Sequence, residues 1–290
     1  MIIVQLKGGL GNQLFQYAAG FSLAMHHGVD IKVDISELKR PDDEIGTLRN
    51  FELQHIAFVP EIASQADLYE VCQQNVFKHY LHKLLPPFKR QIYKEAGFEF
   101  DDNFFKAGKH IYLKGYRQSE QYFSSIKEVI KQHFQLQPHL VTGVDFIAKK
   151  MKSESSVAIH FRRGDYANKA LLDYHGVLEK NYYDEAMAYI SERVNNPVYY
   201  IFSDNIEWVK QHFSFGTNVE FISGSISKNQ YEDFYLMSQC RHNIIANSSY
   251  SWWAAYLNSY DHKMVVAPKK WFNNATINTK DLYPKEWSLI

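Results

Sequence analysis

Residues 2–13, IIVQLKGGLGNQ, predict how the chain begins to fold. The first five of them form an apolar run typical of a buried strand, and the glycine-rich residues 7–12 follow as a tight loop. From residue 13 to about residue 27 apolar side chains recur at helical spacing, and Gly28 provides a stop signal. A second apolar run at residues 29–35 completes a strand–helix–strand unit, which predicts a parallel sheet.

The second half of the chain repeats this alternation of apolar runs and helical patterns. Strands separated by helical segments predict a second parallel sheet with right-handed crossovers. The predicted strands lie at residues 157–159, 198–202, 219–222, 243–246 and 264–267, and the predicted helices at residues 181–194, 229–240 and 252–260.

These patterns predict an α/β protein with two domains, for which 290 residues is an ordinary length. Residues 1–150 form the first predicted domain and residues 151–290 the second, with the boundary between Pro138 and Ser155. Residues 40–110 lack a clear period, and we interpret them as insertions around the first sheet, in part helical. A strand is predicted at residues 111–113 and a helix at residues 121–134.

Composition excludes several classes of protein. The 32 basic and 32 acidic residues cancel, which argues against a nucleic-acid binder that works through a general positive field. Cys72 and Cys240 stand far apart, without the spacing of a metal site or a disulfide framework. The apolar residues 14–25 are too few to span a bilayer, and no secretory signal is visible. We therefore expect a cytoplasmic protein with no transmembrane segment, which leaves room for peripheral association with the inner membrane.

A dense positive cluster follows the predicted strand at residues 157–159. His160, Arg162 and Arg163 lie where the strand ends, which is the edge at which open α/β sheets bind ligands. Arginine matches phosphate oxygens two at a time and keeps its charge, whereas Asp165 is expected to orient a guanidinium. A surface salt-bridge cluster is the alternative, but the preceding strand and His160 favour an anion site.

Two further loops follow predicted strands in the same way. Asp204 could accept the paired N–H groups of a base such as guanine, although a helix N-cap is an equal interpretation of residues 202–205, FSDN. Residues 247–251, NSSYS, place hydroxyl groups at a helix N-terminus, where the helix dipole and unpaired N–H groups attract phosphate. The tryptophans that follow, Trp252 and Trp253, are interpreted as core or interface packing rather than as a platform for a sugar.

The first glycine-rich loop allows three interpretations. Gly9 and Gly11 after a strand suggest a dinucleotide-binding fingerprint, but Leu14 occupies the place of its third glycine. A plain structural turn is the second interpretation. The third, which we favour, is a substrate loop in which Asn12 and Gln13 present side-chain amides at the helix start.

Taken together, the motifs resemble those of the bacterial α-1,2-fucosyltransferases of glycosyltransferase family 11. The resemblance runs in order from residue 3 to about residue 272 and departs slightly at Asn205, where many relatives are expected to carry a second acidic residue. The His-x-Arg-Arg-x-Asp element is shared with α-1,6- and protein O-fucosyltransferases, so it supports the donor more than the linkage. The motifs are GGLGNQLFQY at residues 8–17, HFRRGD at 160–165, FSD at 202–204 and NSSYSWW at 247–253.

This resemblance implies a GT-B fold of two facing Rossmann-like domains with parallel sheets, the first on the acceptor side and the second binding the donor. It implies transfer of L-fucose from GDP-β-L-fucose, with inversion and without a metal ion or cofactor. The acceptor would be O2 of a terminal galactose in a surface polysaccharide such as O-antigen, or in another glycan. The implied catalytic residues are Arg162 and Asn12, and the implied substrate-binding residues are Gly11, Gln13, His160, Arg163, Asp165, Asp204, Ser248, Ser249 and Tyr250.

Some questions stay open in the sequence. The general base is not identified, and Asp34, His26 and His27 are merely near the glycine-rich loop in sequence. Two alternative functions remain: a dinucleotide-dependent oxidoreductase, and a non-catalytic sugar-binding relative of the same fold.

Overall fold

A computed structural model describes residues 1–40, 48–72, 84–163, 176–216, 218–274 and 276–290, and contacts divide the chain into two compact units. The first unit comprises Met1–Gln135 and Ile277–Pro284, and the second comprises Leu136–Thr276 and Lys285–Ile290. The chain therefore changes unit just before the interval in which we expected a boundary. It also returns to the first unit near its end, which no sequence pattern indicated.

The first unit is built on a four-stranded parallel sheet in the order β2-β1-β4-β3. Helix α1 begins at Leu10 with Gly9 as its N-cap, three residues earlier than predicted. Gly28 ends it in the left-handed conformation, as the stop signal indicated. The bounds in this unit are β1 Ile2–Gln5, α1 Leu10–His27, β2 Ile31–Asp34, α2 Gln65–Cys72, β3 Ile92–Lys94, β4 Ile111–Lys114 and α3 Lys127–His133.

Strand β3 corrects the interpretation of residues 40–110 as insertions around the sheet. It forms the edge of the sheet and pairs in parallel with β4, with Ile92 opposite Tyr112. Only Tyr93 of its three residues is buried, so the strand is too short and too exposed to produce a readable period.

The second unit contains a six-stranded parallel sheet in the order β10-β9-β8-β5-β6-β7. The chain runs outward from β5 to β7 and then returns to β8, so the strand order reverses between β5 and β8. Ligands of open α/β sheets bind at the carboxyl ends of the strands at such a switch point. The bounds are α4 Asp145–Ser153, β5 Ser156–Phe161, α5 Lys180–Ser191, β6 Val198–Ser203, α6 Ile206–His212, β7 Val219–Phe221, α7 Gln230–Gln239, β8 His242–Ile244, α8 Ser249–Leu257, β9 Val265–Ala267 and β10 Ser288–Leu289.

Strand β5 lies at the centre of this sheet and is buried along its whole length. Val157, Ile159 and Phe161 belong to the core cluster that includes Ile190 of α5. Because side chains alternate along a strand, His160 lies on the opposite face. Trp252 and Trp253 have no exposed surface, which confirms that they pack in the core.

Candidate functional site

His160 is buried beside helix α8 at the carboxyl end of β5. Its ring centroid lies 5.6 Å from that of Tyr250, and its Nδ1 has no hydrogen-bond partner among the described residues. Burial, reinforced by the positive charge of Arg162, lowers the pKa of His160 to about 3. The imidazole is therefore neutral at neutral pH. Its orphaned nitrogen can form a hydrogen bond with a ligand.

Arg162 connects the two strands at the switch point. Its Nη1 donates to the backbone oxygen of Asn247, 3.2 Å away, in the loop between β8 and α8. Asn247 is itself buried and donates through Nδ2 to the backbone oxygen of Trp271 at 3.2 Å. The guanidinium is thus held by an anchored loop.

Arg163 connects β5 to β6. Its backbone N–H donates to Oδ1 of Asp204 at 2.7 Å, and its guanidinium carbon lies 3.5 Å from the ring centroid of Trp208. The N-cap of α6 is Asn205, whose Oδ1 accepts from the backbone N–H of Trp208 at 3.1 Å. The capping role considered for Asp204 therefore belongs to its neighbour, and Asp204 is exposed at the sheet edge.

Helix α8 begins at this edge. Ser248 is its N-cap, and the Ser248 side chain makes no capping bond. The first bond within the helix runs from the N–H of Trp252 to the backbone oxygen of Ser248 at 3.0 Å, so the N–H groups of residues 249–251 precede it. Such groups, together with the helix dipole, attract anions. The hydroxyl of Tyr250 donates to the backbone oxygen of Gln230, and its ring packs beside His160 and Phe234.

Two glutamines of α1 clamp the glycine-rich loop of the first unit. Gln13 donates through Nε2 to the backbone oxygens of Gly8 and Asn50, both at 2.8 Å, and its Oε1 accepts from the N–H of Glu52 at 2.9 Å. Gln13 has no exposed surface, which corrects its predicted role in binding substrate. Gln16 bonds both the N–H and the oxygen of Lys7, at 2.9 and 3.1 Å.

Asn12 differs from these glutamines because it is only partly buried. Its Oδ1 accepts from Nε2 of Gln118 at 2.8 Å. Gln118 follows β4, the neighbour of β1 in the sheet, so the loops at the ends of two adjacent strands meet here. Sequence analysis did not select Gln118, although its position just after a predicted strand is the same signal that marked Arg162.

The three nearby candidates for a base do not lie free at this loop. Asp34 is buried and accepts from the hydroxyl groups of Tyr112 at 2.5 Å and Ser36 at 3.1 Å. His26 and His27 occupy the last turn of α1, the far end of a helix about 27 Å long. Asp165, the predicted partner of an arginine, lies outside the described residues.

No group of three or more His, Cys, Asp or Glu residues in the described ranges could hold a metal ion. Within the same ranges, no helix combines the length and the apolar character needed to cross a bilayer.

Two parallel-sheet units, with arginine and a helix N-terminus at the switch point of the second, define an α/β protein of the GT-B type. The chain belongs to glycosyltransferase family 11, because the family model described as Glycosyl transferase family 11 matches residues 1–290. It is therefore a glycosyltransferase. This membership favours neither the oxidoreductase nor the non-catalytic alternative.

Two glycosyltransferases of Escherichia coli align with almost the whole length of this chain. An α-1,2-colitosyltransferase of Escherichia coli is 31% identical over 100% of this chain and 99% of its own. The O-antigen biosynthesis glycosyltransferase WbnK of Escherichia coli is 33% identical over 95% of this chain and 97% of its own. A mutant of Arabidopsis thaliana FUT1 in complex with GDP has a TM-score of 0.51 at 9% identity, over 98% of this chain and 74% of that one, which shows a shared fold.

Proposed function

We propose that the protein transfers L-fucose from GDP-β-L-fucose to O2 of a terminal galactose, with inversion, in the synthesis of O-antigen or another surface polysaccharide. The observation that carries this proposal is the bond from Arg162 to the Asn247 backbone beside the N-terminus of α8. It puts a fixed positive charge and the first N–H groups of a helix at one sheet edge, which suits a diphosphate. The α-1,2 linkage in the name of the colitosyltransferase relative supports the proposed regiochemistry.

The second unit would bind the nucleotide. Arg162 would pair with the β-phosphate, and Ser248 and Ser249 would bind phosphate oxygens at the start of α8. Nδ1 of His160, which has no hydrogen-bond partner among the described residues, would form a hydrogen bond with the guanine base. The carboxylate of Asp204, with several acceptor sites, would receive the two adjacent donors of that base. Arg163 and Asp165 would support the loop.

Arginine would supply the electrostatic part of the reaction. As the bond from fucose to the diphosphate breaks, negative charge grows on the leaving group and the sugar becomes oxocarbenium-like. A guanidinium held in advance stabilises that charge without reorganising, which is the role that a metal ion has in other transferases. We propose a reaction without a metal ion or cofactor. Asn12 would orient the acceptor hydroxyl, whose oxygen attacks from the face opposite the diphosphate and whose proton passes to water or to the departing diphosphate.

Nucleotide binding tests the donor assignment. GDP is expected to raise the melting temperature, whereas ADP and UDP are not, because neither presents the paired donors that Asp204 is proposed to recognise. At a hundred times the dissociation constant the stabilisation is about 2.7 kcal/mol. Differential scanning fluorimetry measures it, with Asp204→Ala as the variant that should lose the preference. Equal stabilisation by UDP would contradict the donor assignment.

Turnover tests the activity itself. The protein is incubated with GDP-fucose and lactose, with and without EDTA, and the linkage of the product is determined by NMR. We expect 2-O-fucosylated galactose at equal rates in both arms, because Arg162 is proposed to carry the leaving-group charge. A rate that EDTA abolishes and manganese or magnesium restores would overturn the metal-free mechanism. If the protein transferred colitose from a nucleotide donor but did not transfer fucose, colitose would replace fucose as the proposed donor sugar.

A further inference from the structure

The hydrogen bond between Gln118 and Asn12 joins the ends of two adjacent strands in the first unit. Gln118 is buried, and its Oε1 has no partner among the described residues, so its Nε2 bond to Asn12 is the hydrogen bond found for this amide. We propose that Gln118 is a positioning residue that turns the Asn12 amide so that its Nδ2 donates to substrate. This inference rests on the transferase activity proposed above.

The loop that carries Gln118 is held in an unusual backbone conformation. Gly115 has a φ of 132° and Arg117 a φ of 51°, both in the left-handed region. The carboxylate of Glu95 accepts the backbone N–H groups of Tyr116 and Arg117 at 2.6 and 2.7 Å. Such conformations persist only where the surroundings enforce them, and they concentrate at functional sites. The backbone that leads into Gln118 is therefore fixed by several independent contacts.

The buried side chain of Arg117 also holds this loop in place. It is almost fully buried, with its guanidinium carbon 4.5 Å from the ring centroid of Tyr93 and 4.8 Å from that of Phe104. Its Nη2 donates to the backbone oxygen of Tyr93 at 3.2 Å. Burial of a charged side chain costs free energy, so a buried arginine beneath this loop indicates that the position of the loop is important.

The absence of a side chain at Gly8 provides space for the amide of Asn12. Gly8 has a φ of 76°, and a Cβ atom at this position would lie 2.5 Å from Nδ2 of Asn12. The amide nitrogen thus lies where a side chain at residue 8 would be. Its oxygen is engaged by Gln118 at 2.8 Å. Among the described residues Nδ2 of Asn12 makes no hydrogen bond, which leaves its N–H groups as donors.

This orientation assigns a chemical role to Asn12. With Oδ1 already accepting a hydrogen bond, the group that Asn12 offers to substrate is an N–H donor, which can hold an oxygen atom in place but cannot remove its proton. An amide also has no ionisation in the working range of pH. Wild-type turnover should accordingly show no step in its pH profile that originates at Asn12.

A double-mutant cycle measures whether Gln118 acts through Asn12. Gln118→Ala is expected to lower kcat by about 10- to 10²-fold with little change in the KM for the donor, because small displacements of a positioning group have effects of this size. In the Asn12→Ala background the same substitution should have almost no further effect. Gln121→Ala is the matched control, since Gln121 is an exposed glutamine nearby that bonds Asp281. Additive losses at positions 12 and 118 would overturn the proposal.

Gln118→Glu provides a second test, because a purely structural role of Gln118 would leave the pH profile of turnover unchanged in this variant. A protonated Glu side chain can still donate to Oδ1 of Asn12, whereas its carboxylate can only accept. Turnover of this variant should fall as pH rises through the pKa of the new carboxyl group, a step that the wild type lacks. A pH profile that matches the wild type would count against the proposal.

An NMR measurement decides the question without any donor sugar. In protein labelled with ¹⁵N-asparagine, the side-chain signals of Asn12 are those missing from Asn12→Ala. They are expected to shift in Gln118→Ala and to stay in place in Gln121→Ala. Unchanged Asn12 signals in Gln118→Ala would refute the contact. A wild type that transfers no fucose would refute the proposed function, while this result on Gln118 would still stand.

Discussion

Replacement of Arg162 by lysine is expected to lower kcat for fucose transfer by about 10²-fold or more, comparable to the loss of an oxyanion-hole donor. Lysine retains the charge but loses the planar fork of donors that matches two phosphate oxygens at once. It also loses the geometry of the bond to the Asn247 backbone that holds the guanidinium at the switch point. The effect should fall on kcat, because the charge that Arg162 would stabilise grows only as the diphosphate departs.

The variant should remain folded, because a loop hydrogen bond such as that to Asn247 contributes about 1 kcal/mol to stability. Arg193→Lys is the matched control. Arg193 is also in the second unit, but it contacts the backbone oxygen of Tyr189 and the carboxylate of Glu192 at the end of α5. Steady-state kinetics and thermal unfolding of both variants separate chemistry from stability. Near-normal turnover by Arg162→Lys would show that another residue stabilises the charge on the leaving group, and Arg163 would be the next candidate.

The donor half of the site could be predicted because its signals are local. Strand β5 is buried on both faces, so it is a continuous apolar run, and the polar residues that follow it lie at the sheet edge. The same reasoning placed Asp204 and the start of α8 after their own strands. Parallel sheets bring such ends together, and the bonds from Arg162 to Asn247 and from Arg163 to Asp204 join three of the predicted loops.

The acceptor half could be predicted only in part because its contacts are long-range. Gln13 and Asn12 are adjacent amides in one motif, and nothing local shows that Gln13 turns inward to bond the backbone at residues 50 and 52. Gln118 contacts Asn12 across 106 positions of sequence, a pairing that depends on the strand order β1-β4. A period in hydrophobicity shows which face of an element is buried, but it does not show which loop lies beside which.

Asn12→Ala is expected to lower kcat for transfer by about 10²-fold while GDP affinity stays within about a factor of two. The residues proposed to bind GDP, and the hydrogen bonds that hold them, lie in the second unit, which the substitution does not touch. Asn12 belongs to the first unit, where its amide is held by Gln118. Removing that amide should therefore cost the reaction an oriented donor and leave the nucleotide site as it is.

A dinucleotide-type glycine loop predicts the opposite outcome, since there the loop itself cradles the phosphates and damage to it abolishes nucleotide binding. Calorimetry with GDP and a turnover assay on the same preparation of Asn12→Ala distinguish the two. Gln16→Ala controls for damage to the loop, because the buried side chain of Gln16 bonds the backbone of Lys7. If Asn12→Ala loses GDP binding while its fold is intact, then the glycine-rich loop holds the nucleotide, and the division of roles between the two units is wrong.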